Sequence, residues 1–195
     1  MLGTVGGRGF PTIAILSPEG DLIGKHSGPR SVDGFTASID KASGLLNARA
    51  KAAKGDKSAE VDVLLFELGF GLVADLETAK KRLDALEKVT PEQKKELAGL
   101  MADLEFSGLM DQRKALGDEA LAAKAFEMYE AGRIPTGGRV IDFWFYGVLN
   151  YAKNQKDAEL ALKAVGILAE MEVFKNPRNA KLLDDVREEV AGYGK

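Results

Sequence analysis

From residue 59 onward, apolar residues recur at intervals of three and four. Val61, Leu64, Leu65, Leu68 and Leu72 make one such face, and Leu76, Ala79, Leu83, Leu86 and Val89 make a second. That spacing stacks side chains on one stripe of an α-helix. Thr90-Pro91-Glu92-Gln93 is a helix start: Thr90 serves as N-cap, Pro91 takes the first helical position and Gln93 is placed for a capping box. Leu97, Leu100, Met101 and Leu104 continue at period, and Gly117-Asp118 breaks and recaps the chain. Leu121, Ala125, Phe126 and Tyr129 predict the next helix, ended by Gly132. After a loop at 135–138 the pattern predicts an aromatic-rich helix over 140–151 and another over 157–173. Asn176-Pro177 breaks the chain again, and Leu182, Leu183, Val186 and Val190 line the last helix. Six or seven helices with short connections predict an all-α domain of antiparallel helix pairs.

The first quarter reads differently. Ile13, Ile15 and Leu16 suit a buried strand, Glu19-Gly20-Asp21 a turn, and residues 22–26 a return strand. Ser31 is placed to cap a helix whose apolar face is Phe35, Ile39, Ala42 and Leu46. Residues 47–58, NARAKAAKGDKS, carry basic residues, a breaker at Gly55 and no large apolar side chain. They read as a solvated linker or a helical arm. The predicted fold is mainly α: a ββα unit at 1–46, the connection at 47–58 and a helical domain at 59–195. Because helical contacts are local, residues 59–192 are expected to fold by themselves.

Specific residues carry a resemblance. Arg8-Gly9-Phe10-Pro11-Thr12, the strand after it, the Pro18-Glu19-Gly20-Asp21 turn and Gly28 fall in the order seen in the second half of a thioredoxin-like domain. The resemblance covers residues of about 3–46. It implies a cis-proline loop at Pro11. It also implies either a peptide-binding edge formed by Gly9, Phe10, Pro11 and Thr12, or a turn kept only because the fold needs it. In that family the redox Cys-x-x-Cys belongs to the preceding half, for which the nine residues before Phe10 leave no room. Thiolate chemistry needs a thiol, and the chain has no cysteine. In the helical part, Ala120, Ala123, Ala125-Phe126, Tyr129 and Gly132 look like part of a tetratricopeptide repeat, as do Tyr151-Ala152, Ala158, Ala161 and Ala164. Helix pairs approaching the ~34-residue period of such arrays fit this reading, and a plain helical bundle fits equally.

A net charge of −3 supplies no strongly basic character for nucleic acid or an anionic membrane. No apolar run approaches the ~20 residues of a membrane span, and no signal peptide is visible. The sequence as written reads as a cytoplasmic protein of bacterial type, or as a periplasmic one if an N-terminal segment is missing. Without cysteine there is no disulfide or sulfur-ligated metal, and no cofactor or metal is expected.

Few residues suggest chemistry. Gly3, Gly6, Gly7 and Gly9 precede a strand, whereas a phosphate loop comes after its strand and opens a helix. His26, the one histidine, has Lys25 beside it and is expected to be solvated. Arg133-Ile134-Pro135-Thr136 echoes Gly9-Phe10-Pro11-Thr12, but a strand and turn come after Pro11, whereas Gly137-Gly138 and a helix come after Pro135. Phe143, Trp144, Phe145 and Tyr146 point round a helix that is therefore largely enclosed. Trp144 and Tyr146 are candidates for a hydrophobic groove. The function expected is a non-catalytic protein-interaction or scaffold module, with no catalytic residue and a protein or peptide partner. Self-pairing through the strand of residues 12–17 would make it a homodimer. The alternatives are a truncated piece of a thiol-disulfide oxidoreductase or thioredoxin-fold chaperone, and an enzyme whose site gathers Arg133, Arg139, Asp142 and Tyr146.

Overall fold

A computed structural model describes residues 13–17, 19–26 and 30–193. The chain divides into two compact units, Met1–Leu97 and Ala98–Lys195, and the division falls inside a helix. The fold is mainly α with one small two-stranded sheet among the described residues.

In the first unit, strands β1 (Ala14–Leu16) and β2 (Leu22–Lys25) pair antiparallel, with Ala14 opposite Lys25 and Ile15 opposite Gly24. Ser17 organises the turn: its Oγ accepts the N–H groups of Glu19 and Asp21, each at 3.2 Å. The hairpin packs on helix α1 (Val32–Ala52), where Ile23, Ala42, Leu45 and Phe70 form a buried cluster flanked by Ile15, Val63 and Phe66. Each helix here begins at a side chain that accepts otherwise orphaned N–H groups. Ser31 Oγ accepts from Gly34 at 3.1 Å on α1. Asp56 Oδ1 accepts from Ser58 at 3.0 Å on α2 (Lys57–Gly69), and Asp75 Oδ1 from Thr78 at 2.7 Å on α3 (Leu76–Asp84).

As far as Ala52, residues 47–58 take the helical-arm alternative and not the solvated linker. Helix α1 continues to Ala52, a short turn intervenes, and α2 starts at Lys57. Ala48 is buried, and α1 packs along α2. Of the other alanines in this stretch, Ala50 and Ala53 are exposed. The compact units divide at Leu97, so α2 belongs to the same unit as α1.

Helix α4 (Pro91–Asp111) opens on the predicted capping box: Gln93 N–H donates to Thr90 Oγ1 at 3.2 Å and Thr90 N–H to Gln93 Oε1 at 3.1 Å. A single turn, α5 (Arg113–Leu116), ends at Gly117, whose φ of 81° lies in the region open to glycine. Then come α6 (Asp118–Glu130), α7 (Gly138–Gln155), α8 (Ala158–Ala169), a 3-10 turn (Glu172–Phe174) and α9 (Pro177–Val190), which Asn176 caps. Consecutive helices pack on one another: α6 on α7, α7 on α8, α8 on α9. Their shared core holds Phe106, Ala125, Met128, Trp144, Leu149, Val165, Leu168 and Leu183. Each large side chain buried contributes about 1.5–3 kcal/mol. Packing of this cluster, more than helix propensity, therefore holds the second unit.

Candidate functional site

The aromatic run on α7 is split by its two faces. Trp144 and Phe145 join Val148, Leu149 and Ala152 on the core stripe. Phe143 remains 52% exposed and Tyr146 37%. Residues 143, 146, 147 and 150 form the adjacent stripe, at helical spacing. Beside them is an open cavity of about 310 Å³, lined by Phe143, Tyr146 and Asn150 of α7, Met110 of α4, Arg113 of α5 and Asp118 of α6. Gly147 forms part of its wall, and α6 and α7 run very close there.

One rim of this groove is an ion pair across Gly117. Arg113 Nε donates to Asp118 Oδ1 at 2.7 Å. The hydrogen bond and charge of Arg113 hold the Asp118 carboxyl below its ordinary range. Both partners are exposed, so the pair contributes orientation more than stability. The groove thus combines aromatic, thioether and guanidinium surface with the Tyr146 hydroxyl and the Asn150 amide, which can donate to or accept from a bound main chain.

Several sequence expectations land elsewhere. Gly9, Phe10, Pro11 and Thr12 lie outside the described residues. Trp144 is 0% exposed and belongs to the core, so it does not line the groove; its indole N–H has no hydrogen-bond partner among the described residues. His26 is not solvated. Its Nδ1 lies 2.8 Å from Ser38 Oγ, and its ring packs 4.5 Å from that of Phe35 on α1.

Of the four residues proposed for an enzymatic site, Tyr146 alone lines the groove. Arg133 instead pairs with Glu105 of α4. The loop between α6 and α7 is held by Asp103, whose Oδ1 accepts the N–H groups of Thr136 and Gly137, each at 2.9 Å. Burial raises the Asp103 carboxyl above its ordinary value, opposed by those hydrogen bonds. Burial likewise raises Asp142, opposed by the charge of Arg139. Asp103 and Glu105 thus act as fasteners for the loop.

A second arrangement has no counterpart among the sequence expectations. Glu67 on α2 lies between Arg49 of α1 and Arg82 of α3, with Nη2 of each arginine 2.6 Å from a different carboxylate oxygen. These residues are far apart in sequence and sit on three helices, so no local spacing announces them.

Among the described residues no group of three or more histidine or acidic side chains is placed to hold a metal ion. Nor is any helix among them long and apolar enough to cross a membrane. No family model, no curated protein and no solved structure matches the chain.

Proposed function

We propose that this chain is a non-catalytic protein-interaction module whose groove between α6 and α7 takes a peptide segment of a partner protein. The observation that carries the reading is the exposure of Phe143 and Tyr146 beside Met110 and Arg113. Aromatic residues, methionine and arginine are the types enriched at the cores of protein interfaces. The occupant is a segment that seats one aliphatic or aromatic side chain in the cavity. Tyr146 and Asn150 meet its main chain, and the Arg113–Asp118 pair borders it. No thiol takes part, since the chain has no cysteine.

The thioredoxin-like relationship and the homodimer through residues 12–17 belong to the same reading. Support for them comes from the β1–β2–α1 order, and from the pairing of β1 with β2 alone among the described residues. Sedimentation of the full chain as a monomer throughout the micromolar range would remove the homodimer.

The groove is tested by selecting peptides from a random display library against the full chain. The expected peptides carry an aromatic or aliphatic anchor and lose at least tenfold in affinity against Tyr146→Ala and Phe143→Asp. If the selection yields no binder, or binders indifferent to both substitutions, the reading fails.

A further inference from the structure

Helices α1, α2 and α3 of the first unit surround a second cleft, of about 310 Å³, at the lower end of the range of small-ligand pockets. Its walls include the aliphatic side chains of Ala52, Val63, Leu64 and Leu86, and into it come Arg49 and Arg82. Both arginines hold Glu67. That carboxylate is 12% exposed, whereas the Arg49 and Arg82 side chains are 40% and 37% exposed. One carboxylate therefore faces two guanidiniums, while the Lys57 ammonium is shared by Glu60 and Glu87, so the charges around the cleft balance and any preference for an anion rests on the free N–H donors of the arginines.

The arginines keep donors in reserve. A guanidinium has five N–H groups. Glu67 takes Nε and Nη2 of Arg49, at 3.2 and 2.6 Å, and is approached by Nη2 of Arg82. Glu60 also lines the cleft, but Lys57 Nζ donates to both its oxygens, at 3.1 and 3.3 Å, and lies 3.9 Å from Glu87. Glu60 is thus paired with a cation, and the spare N–H donors lining the cleft belong to the two arginines. Their planar forks match carboxylate geometry.

We infer that this cleft binds a small amphipathic anion, a carboxylate on a short aliphatic body, with the head on Arg49 and Arg82 and the body against Val63, Leu64 and Leu86. The residues of this cleft take no part in the groove on α7. Octanoate is the probe, titrated calorimetrically into the full chain beside 1-octanol and octylammonium. Octanoate should saturate at one site, 1-octanol should bind at least tenfold more weakly, and octylammonium should not bind. Arg82→Gln should weaken octanoate at least tenfold. Ala85→Trp places a large ring on an exposed residue of the cleft wall and should abolish binding with the helical circular dichroism unchanged. Absence of saturable octanoate binding to the wild type, or equal binding of octylammonium, overturns the inference. So does octanoate binding that folded Ala85→Trp leaves intact.

Discussion

Gly147 on α7 passes so close to Ala125 on α6 that a Cβ built on Gly147 would lie 2.8 Å from the Ala125 Cβ. Glycine in a helix interior ordinarily costs about 1 kcal/mol relative to alanine. Here the close helix approach offsets that cost, because any larger residue must push α6 and α7 apart. Gly147→Ala is therefore expected to lower stability by about 1–2 kcal/mol despite its better helix propensity. Gly166 on α8 has nothing within 4 Å of a built Cβ. Gly166→Ala should raise stability by about 1 kcal/mol. Urea denaturation of both variants checks the pair, and equal shifts in the same direction would contradict the packing.

Asp103 should give the second unit a distinct pH response. Burial lifts its folded-state pKa above the ordinary 3.8. The folded chain then holds this proton more tightly than the unfolded chain does. Stability from this group is present below the ordinary value and is lost as pH rises through the raised folded value. Asparagine keeps an oxygen for the Thr136 and Gly137 N–H groups but does not titrate. The stability of the wild type relative to Asp103→Asn should therefore improve between pH 7 and pH 4. A relative stability that stays constant or worsens on acidification would remove Asp103 as the cause.

Glu67 should matter more than either arginine it joins. Removing it leaves two partly buried guanidiniums facing each other, whereas removing one arginine leaves a pair intact. Glu67→Ala is expected to cost about 1–3 kcal/mol, below the figure for fully buried pairs because both arginines reach solvent. Arg82→Ala should cost less. Thermal melts rank them, and the reverse order would contradict the arrangement.

A fragment of residues 90–195 retains the Thr90–Gln93 capping box and the whole cluster around Trp144. It is expected to unfold cooperatively, with Trp144, the only tryptophan in the chain, as the reporter. Blue-shifted emission that moves red in one transition is the expected result. A fragment starting at residue 59 should fare no better, since its α2 has lost α1. A broad, probe-dependent melt of 90–195 would show that the second unit is not self-sufficient.

Local signals are legible in the sequence because the interactions behind them are local. Ser31, Thr90 with Gln93 and Gly117 all lie within a few residues of the groups they satisfy. The hairpin turn is legible for the same reason. The illegible features depend on which neighbour arrives. Four successive aromatics point around α7, and composition alone does not say that Trp144 faces the core while Phe143 and Tyr146 face outward. Alanine and lysine at 47–52 fit a solvated arm as well as a packed helix, and only the approach of α2 decides. His26 reads as exposed beside Lys25, yet Ser38 and Phe35 of α1 draw it in. The Arg49–Glu67–Arg82 arrangement has no sequence signature, since each member comes from a different helix.

The docking role of the α6–α7 groove is tested most directly by mapping a selected peptide onto the full chain by amide and side-chain chemical shifts. The largest changes should fall on Phe143, Tyr146, Asn150 and Arg113, with the resonances of Arg49 and Arg82 unmoved. Changes centred instead on residues 13–26 or on the cleft around Glu67, with Tyr146 and Phe143 silent, would contradict the account.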